Sequence, residues 1–385
     1  MKRLFYVDTY STGPLHEMFD AASLKLFSSI FDQIEYYADS TAQEHAFHLI
    51  DNIPSNITYH PIHVPTVHSQ LSNWLKIAYA IYNNCRILLK AKENDIIYIN
   101  YNTIYALPFI NLITKFTRKK VLLQCHGELK QLQKEYYQNF VSQKILSLIR
   151  SSKIHITKNL YICVLGDVIK ENLKSYIAPS NINKIISFDH PGIFSESAEF
   201  NTNNMTSTNS LKIGYIGTLR KNKGINEFIT LAKQLKSNTN VTFYSIGKIT
   251  NYTQNLRNNG IIIPNECNND YINRIDLYRM IQQLDIVLYL YDKDSYKLTA
   301  SGAIFDAIEC EKPIIALKND YFEYLFKKFG TLGFLANDLS ELENEIKELS
   351  RGKKYIIDFK TIKKQLSYKS IAIELKNKLT EIKFI

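Results

Sequence analysis

Short runs rich in Ile, Tyr, Phe and Val alternate along the chain with longer stretches whose apolar residues recur every three or four positions. In the first half the short runs predict strands near 3–8, 34–38, 57–63, 96–101, 120–125 and 160–165. Helical periodicity fills the gaps, as over Leu15 to Phe31, Ser69 to Glu93 and Leu129 to Ser151. Such alternation implies a parallel sheet covered on both faces. The character changes at Ser195: residues 195–210, SESAEFNTNNMTSTNS, are polar and nearly free of β-branched apolar side chains, as a linker would be. Strands are predicted again near 211–216, 241–246, 260–263, 285–290 and 313–317, which makes a second doubly wound domain, and Tyr355 to Phe384 reads as mostly helical. The expected division is therefore 1–194, a linker at 195–210, and a second domain over 211–365 followed by a closing helix.

Length agrees with this division, since 385 residues suit two domains. A composition of 45% hydrophobic and 22% charged residues excludes disorder over the whole chain. Ile96 to Thr114 runs 19 residues without a charge, the length of a membrane span. Asn100, Asn102, Thr103, Pro108 and Asn111 interrupt it, so a buried strand, a turn and an amphipathic helix are expected instead. Five scattered cysteines without a Cys-x-x-Cys pair point to a reducing compartment and no zinc site. Asp8 interrupts the N-terminal apolar run too early for a signal peptide, and the expected location is cytoplasmic.

Charge narrows the partners. The net +10 suits a phosphate-bearing ligand: nucleic acid, an anionic membrane or a nucleotide-linked metabolite. No zinc finger, RNP-like strand or basic repeat is present, so nucleic acid is not expected. Residues 1–100 carry 7 Lys or Arg and 10 Asp or Glu, whereas residues 101–160 carry 10 and 2. That dense basic stretch beside apolar residues is either an anionic-membrane face or a solvated helix face.

Four loops after predicted strands can carry chemistry. In Leu211 to Gly224 a strand runs into Gly217, then Thr218, then Arg220, Lys221 and Lys223 before a helix. Helical N–H groups and cations together suit a diphosphate, although a solvated basic turn has the same composition. Ser301-Gly302 opens a helix with Asp306 one turn later, which suits a phosphate and ribose hydroxyls or simply an N-cap with a solvated Asp. His126-Gly127-Glu128 ends a buried strand; His126 can stabilise developing charge and Glu128 can act as acid or base, or both can be structural. The first loop, with Gly13, His16 and Glu17, offers room for a second substrate, with helix capping as the alternative.

With these residues the chain resembles nucleotide-sugar-dependent glycosyltransferases of the GT-B fold, similar to family 4 and related bacterial polysaccharide enzymes. The resemblance spans nearly the full length and also rests on Leu165-Gly166-Asp167, Asp189-His190-Pro191 and Lys312-Pro313. It implies two Rossmann-like domains, with a closing helix at 366–385 that crosses back to the first. It also implies transfer of a sugar from a nucleotide-diphosphate sugar to a glycan or polyprenyl-diphosphate-linked glycan, with retention and without a metal or other cofactor. Gly217, Thr218, Lys221, Ser301, Gly302 and Asp306 would bind the donor. Arg220, Lys223 and His126 would be catalytic, and Gly13, His16, Glu17 and Glu128 would lie on the acceptor side. A peripheral position on the inner face of the cytoplasmic membrane would present a lipid-linked acceptor.

The chain departs from that family at two places. Thr218 stands where family 4 carries Arg, which would pass the leaving-group role to Arg220 or Lys221, and Leu298 stands where it carries the first of two glutamates. Two other readings are therefore open: a nucleotide-sugar epimerase of the same fold, and a non-catalytic GT-B partner subunit.

Overall fold

The computed structural model describes residues 2–151, 156–194, 210–236, 240–249, 252–268 and 271–385; the expected linker falls outside them except for Ser210. The chain forms two compact units, one of Met1–Ile193 with Leu298–Ala300 and Leu366–Ile385, the other of Phe194–Lys297 with Ser301–Gln365.

The first unit holds strands β1 (Arg3–Asp8), β2 (Gln33–Ala38), β3 (Ile57–Pro61), β4 (Ile96–Tyr101), β5 (Lys120–Gln124), β6 (Leu160–Leu165) and β7 (Ile185–Phe188). They form one parallel sheet in the order β3-β2-β1-β4-β5-β6-β7. Its helices are α1 (Glu17–Ser28), α2 (Ser40–His48), α3 (Gln70–Lys90), α4 (Leu107–Thr117), α5 (Phe140–Arg150), α6 (Asp167–Leu173) and α7 (Pro179–Ile182). Strand order reverses between β1 and β4, and the loops that leave their carboxyl ends diverge to opposite sides, which opens a crevice there.

The second unit carries β8 (Leu211–Ile216), β9 (Val241–Ile246), β10 (Ile286–Tyr289), β11 (Ile314–Leu317) and β12 (Gly333–Ala336) in the parallel order β12-β11-β10-β8-β9. Around them lie α8 (Ile225–Lys236), α9 (Thr253–Asn258), α10 (Arg274–Gln282), α11 (Ala303–Glu309), α12 (Asp320–Phe329) and α13 (Leu339–Ser350). Here the order reverses between β8 and β10.

Three local expectations fail. Residues 260–263 make a single bridge, Ile262 to Tyr244, rather than a strand, because Gly260 turns with φ +76° and Pro264 has no N–H for a ladder. Leu129 to Ser151 is not one helix: Glu128–Leu132 and Lys134–Tyr136 are 3-10 turns separated by an extended Gln133. The helix starts only where the Asn139 side chain accepts from Ser142 N at 2.9 Å. Strands β7 and β12, four residues each, were not anticipated. No described helix is long and apolar enough to cross a membrane; the uncharged stretch after Ile96 divides into β4 and α4.

After α14 (Phe359–Leu366), helix α15 (Tyr368–Glu381) belongs to the first unit and closes its core. Ile371, Ala372, Leu375 and Leu379 are buried together with Leu24, Phe27 and Tyr98. Ser367 caps the helix, Lys25 of α1 lies over the Tyr368 ring at 4.8 Å, and Lys378 Nζ donates to the Ser187 carbonyl at 2.7 Å. Fully burying a leucine contributes about 1.5–3 kcal/mol. Leu375→Ala, which leaves a cavity in this fully buried layer, is expected to cost about 2–5 kcal/mol in urea denaturation followed by circular dichroism. A loss below about 1 kcal/mol would mean that α15 is not part of that core.

Candidate functional site

Each sheet gathers polar residues at the carboxyl ends beside its switch point. In the first unit, β1 ends at Asp8, whose Oδ1 accepts from the N–H groups of Tyr10 and Ser11 at 3.0 and 2.8 Å. Asn100, near the end of β4, donates Nδ2 to Asp20 Oδ1 of α1 at 2.6 Å and to Asp8 Oδ2 at 3.3 Å. All three side chains are buried. Burial and the nearby Asp8 carboxylate push Asp20 well above the usual carboxylate range, which favours its protonated form.

His126 follows β5, and its Nε2 lies 2.9 Å from the Asn100 carbonyl. A carbonyl only accepts, so Nε2 carries the proton; the neutral ring then leaves Nδ1 as a lone-pair acceptor. Burial, with His16 and His190 nearby, holds His126 well below the usual histidine range and keeps it neutral. His16, in the left-handed region with φ 62°, places its ring centroid 4.4 Å from that of His126 and 4.5 Å from Tyr101. Phe19 meets His126 on one side and His190 on the other, edge to face at 4.7 and 5.0 Å. Burial pushes His190 down to about 4.

Of the other residues expected here, Glu128 folds back and accepts from the N–H groups of His126 and Gly127 at 2.7 and 3.0 Å, and its burial raises its pKa. Gly13 donates its N–H to Thr41 Oγ1 at 2.9 Å, and Glu17 is buried beside His45 at 3.1 Å. The structure thus brings His16 and His126 together, while Gly13 and Glu17 are tied to α2. Leu298–Ala300 belongs to this unit as well: Leu298 is buried, and the Thr299 hydroxyl donates to the His126 carbonyl. A cavity of about 540 Å³ opens between the start of α3 and the loops after β1, β4 and β5.

In the second unit the loop after β8 bends at Gly217, φ +95°, and continues through a 3-10 turn, Lys221–Lys223, into α8. Gly224 is required where it stands: a Cβ there would meet the Leu290 carbonyl oxygen at 2.1 Å. Thr218 is half-buried and Leu219 is in the core, so the turn is anchored while Arg220 and Lys221 are exposed. Among the described residues neither exposed cation forms an ion pair. Lys223 Nζ sits over the Tyr291 ring at 5.4 Å. Beneath it Tyr291 stacks on Tyr296 at 4.5 Å, and buried Tyr215, Tyr289 and Phe322 complete a rigid aromatic floor.

After β10, Ser301 is buried and Gly302 precedes α11, whose first-turn carbonyl at Ala303 accepts from Tyr289 Oη at 2.7 Å. Asp306 Oδ1 meets Arg274 Nη1 of α10 at 2.6 Å. Sequence reading missed Arg274, Asp8, Asp20 and Asn100. A polar Asp20 and Asn100 within otherwise apolar runs were the available signal for two of them; Arg274 left none.

No protein-family model matches the chain, and no curated protein matches it in sequence. Solved structures do. HepE of Anabaena in complex with UDP aligns with a TM-score of 0.62 at 13% identity over 99% of each chain. Sucrose-phosphate synthase from Thermosynechococcus elongatus gives 0.65 at 10% identity over 99% of each chain. The lipopolysaccharide outer core galactosyltransferase WaaB gives 0.62 at 12%, again over 99% of each. At these identities the likeness is one of fold: two Rossmann-like parallel sheets, with a C-terminal helix that returns to the first, place this chain in the GT-B architecture.

Proposed function

We propose that the chain is a glycosyltransferase that moves a sugar from a nucleotide-diphosphate sugar to a glycan or lipid-linked glycan acceptor in surface polysaccharide synthesis. The observation that carries this reading is the loop from Gly217 to Gly224 at the second sheet's switch point, where three cations meet the start of α8. The diphosphate takes hydrogen bonds from backbone N–H groups there, and Arg220, Lys221 and Lys223 offset its charge. Charge on the leaving diphosphate grows as the glycosidic bond breaks, so these cations act most strongly in the transition state and transfer needs no metal. Ser301 and Gly302 contribute the second wall, and the Asp306 carboxylate, oriented by Arg274, accepts the ribose hydroxyls. The neutral His126 ring accepts a hydrogen bond from a sugar hydroxyl at Nδ1, and the sugar is transferred with retention, the acceptor hydroxyl attacking as the bond to the diphosphate breaks and its proton passing to the leaving diphosphate oxygen.

The chain also docks on the anionic inner face of the cytoplasmic membrane through the first unit. Phe116 is 74% exposed and Phe140 73%, each with a lysine over its ring, Lys115 and Lys144. Exposed aromatics flanked by cations suit an interfacial position, each basic residue contributing about 1 kcal/mol on an anionic surface.

Three outcomes test this reading. A thermal-shift screen begins with UDP-sugars, the donor class found with HepE, and extends to GDP-, ADP- and CMP-sugars. One of them at 100 times its dissociation constant is expected to stabilise the protein by about 2.7 kcal/mol. Stabilisation without turnover on any acceptor would instead indicate a partner subunit, and an epimerised donor without acceptor would indicate an epimerase. Lys223→Ala and Arg220→Ala are each expected to lower transfer about 100-fold or more, and an unaltered rate in either removes that residue from the leaving-group site. Liposome co-sedimentation is expected to require anionic lipid and to weaken in Lys115→Glu and Lys144→Glu; equal binding to neutral vesicles removes the membrane role.

A further inference from the structure

A second cavity of the first unit, about 870 Å³, opens at the other end of the sheet, beside the amino ends of β5 and β6. The five residues of β5 lie between it and the crevice, about 16 Å at the rise of a strand, so it stands apart from the site described above. Its walls combine two chemistries. Leu112 of α4, Leu148 of α5 and Ile156 give it an apolar side, and Lys115, Arg118 and Lys158 give it three exposed cations. Among the described residues none of these cations forms an ion pair, and no carboxylate lines the cavity.

The frame of the cavity is fixed. Thr157 donates its N–H to Asn111 Oδ1 at 2.9 Å, and the Thr114 and Thr157 hydroxyls meet at 2.7 Å, which ties α4 to the segment before β6. Helix α4 ends on Arg118 in the left-handed region, φ 55°, a place that glycine usually takes. An arginine there costs backbone free energy and sets a guanidinium at the rim. The cavity also continues into apolar surface: Phe109, Leu112 and Phe116, three and four residues apart, form an exposed stripe along α4, and Leu112 belongs to both. Cations without counter-charges beside exposed apolar side chains suit a ligand that is anionic at one end and apolar at the other. A free phosphate gains nothing from the stripe, and a second copy of the chain would bring like charge against like charge.

We propose that this cavity holds one anionic phospholipid, its phosphate on Lys115, Arg118 and Lys158 and its acyl chains along Leu112 and onto the α4 stripe. The assignment deepens the membrane reading and rests on it: the bilayer contact includes one specifically bound lipid, which anchors the chain at a point remote from the crevice.

Dihexanoylphosphatidic acid, kept below its micelle concentration, tests this by isothermal titration calorimetry on the full chain without any bilayer. It is expected to fill a single saturable site, about tenfold or more tighter than glycerol 3-phosphate, which lacks the chains, and than dihexanoylphosphatidylcholine, whose headgroup is zwitterionic. Variants locate the site, because the loop after β8 also offers cations. Arg118→Gly removes the guanidinium at a φ that glycine accepts, so the fold is kept, and it is expected to weaken binding about tenfold, as is Lys158→Ala. No saturable site, equal binding of the zwitterionic lipid, or unaltered binding in both variants overturns the inference. Glycerol 3-phosphate bound as tightly as the lipid also overturns it and makes the cavity a free-phosphate site. Liposome co-sedimentation reads bilayer docking separately: anionic vesicles that sediment a chain with no site for the short-chain lipid overturn the cavity assignment alone. A one-to-one complex with the short-chain lipid and no sedimentation supports the cavity and counts against bilayer docking.

Discussion

The first unit is organised around one buried amide. Asn100 Nδ2 reaches Asp8 at the end of β1 and Asp20 on α1, and the Asn100 carbonyl takes the proton-bearing nitrogen of His126 after β5. One residue thus joins the two strands on either side of the switch point, the helix that covers them and the histidine of the next loop. Two carboxylates in one buried place repel unless they hold a proton between them and find donors. Their presence is costly, and what it secures is position: β1, β4 and α1 have a single register in which Asn100 meets both acids. The neutral state of His126 follows from the same burial, so scaffold and site are determined together.

The second unit reaches rigidity by close backbone approach. Gly224 lets its loop touch the Leu290 carbonyl, and Gly247 lies against Gly217, where a Cβ would come within 2.3 Å of the Gly217 oxygen. Stacked tyrosines fill the space below. A turn held in this way needs little reorganisation when an anion arrives, and its exposed cations keep their water until then. That division of labour, fixed backbone below and solvated charge above, is compatible with the proposed role in holding a diphosphate.

Much of the fold could be read from sequence because parallel strands buried on both faces leave continuous apolar runs, and β1, β4, β6, β8 and β9 lie where those runs predicted. The places of Gly217, Lys223 and Ser301 in the fold were legible for a local reason: they sit at strand-to-helix junctions, which sequence marks well. Long-range pairings were not. Asn100 lies 92 residues from Asp8 and 80 from Asp20, and Arg274 lies 32 from Asp306, so no spacing rule connects them. The cavity beside the start of α3 escaped notice as well, since Trp74 in a helical pattern reads as one apolar position among many and only the fold brings Tyr105 beside it.

Helix α15 gives the first domain a discontinuous sequence, begun at the first strand and finished by the last twenty residues. During synthesis the ribosome must therefore release the entire second domain before Leu24, Phe27 and their neighbours can be covered. The second domain has no such dependence and can fold while its partner is still incomplete. For that interval the nascent first domain exposes the apolar surface of α1 that α15 later covers, and a chain ended at Leu366 would leave that surface exposed.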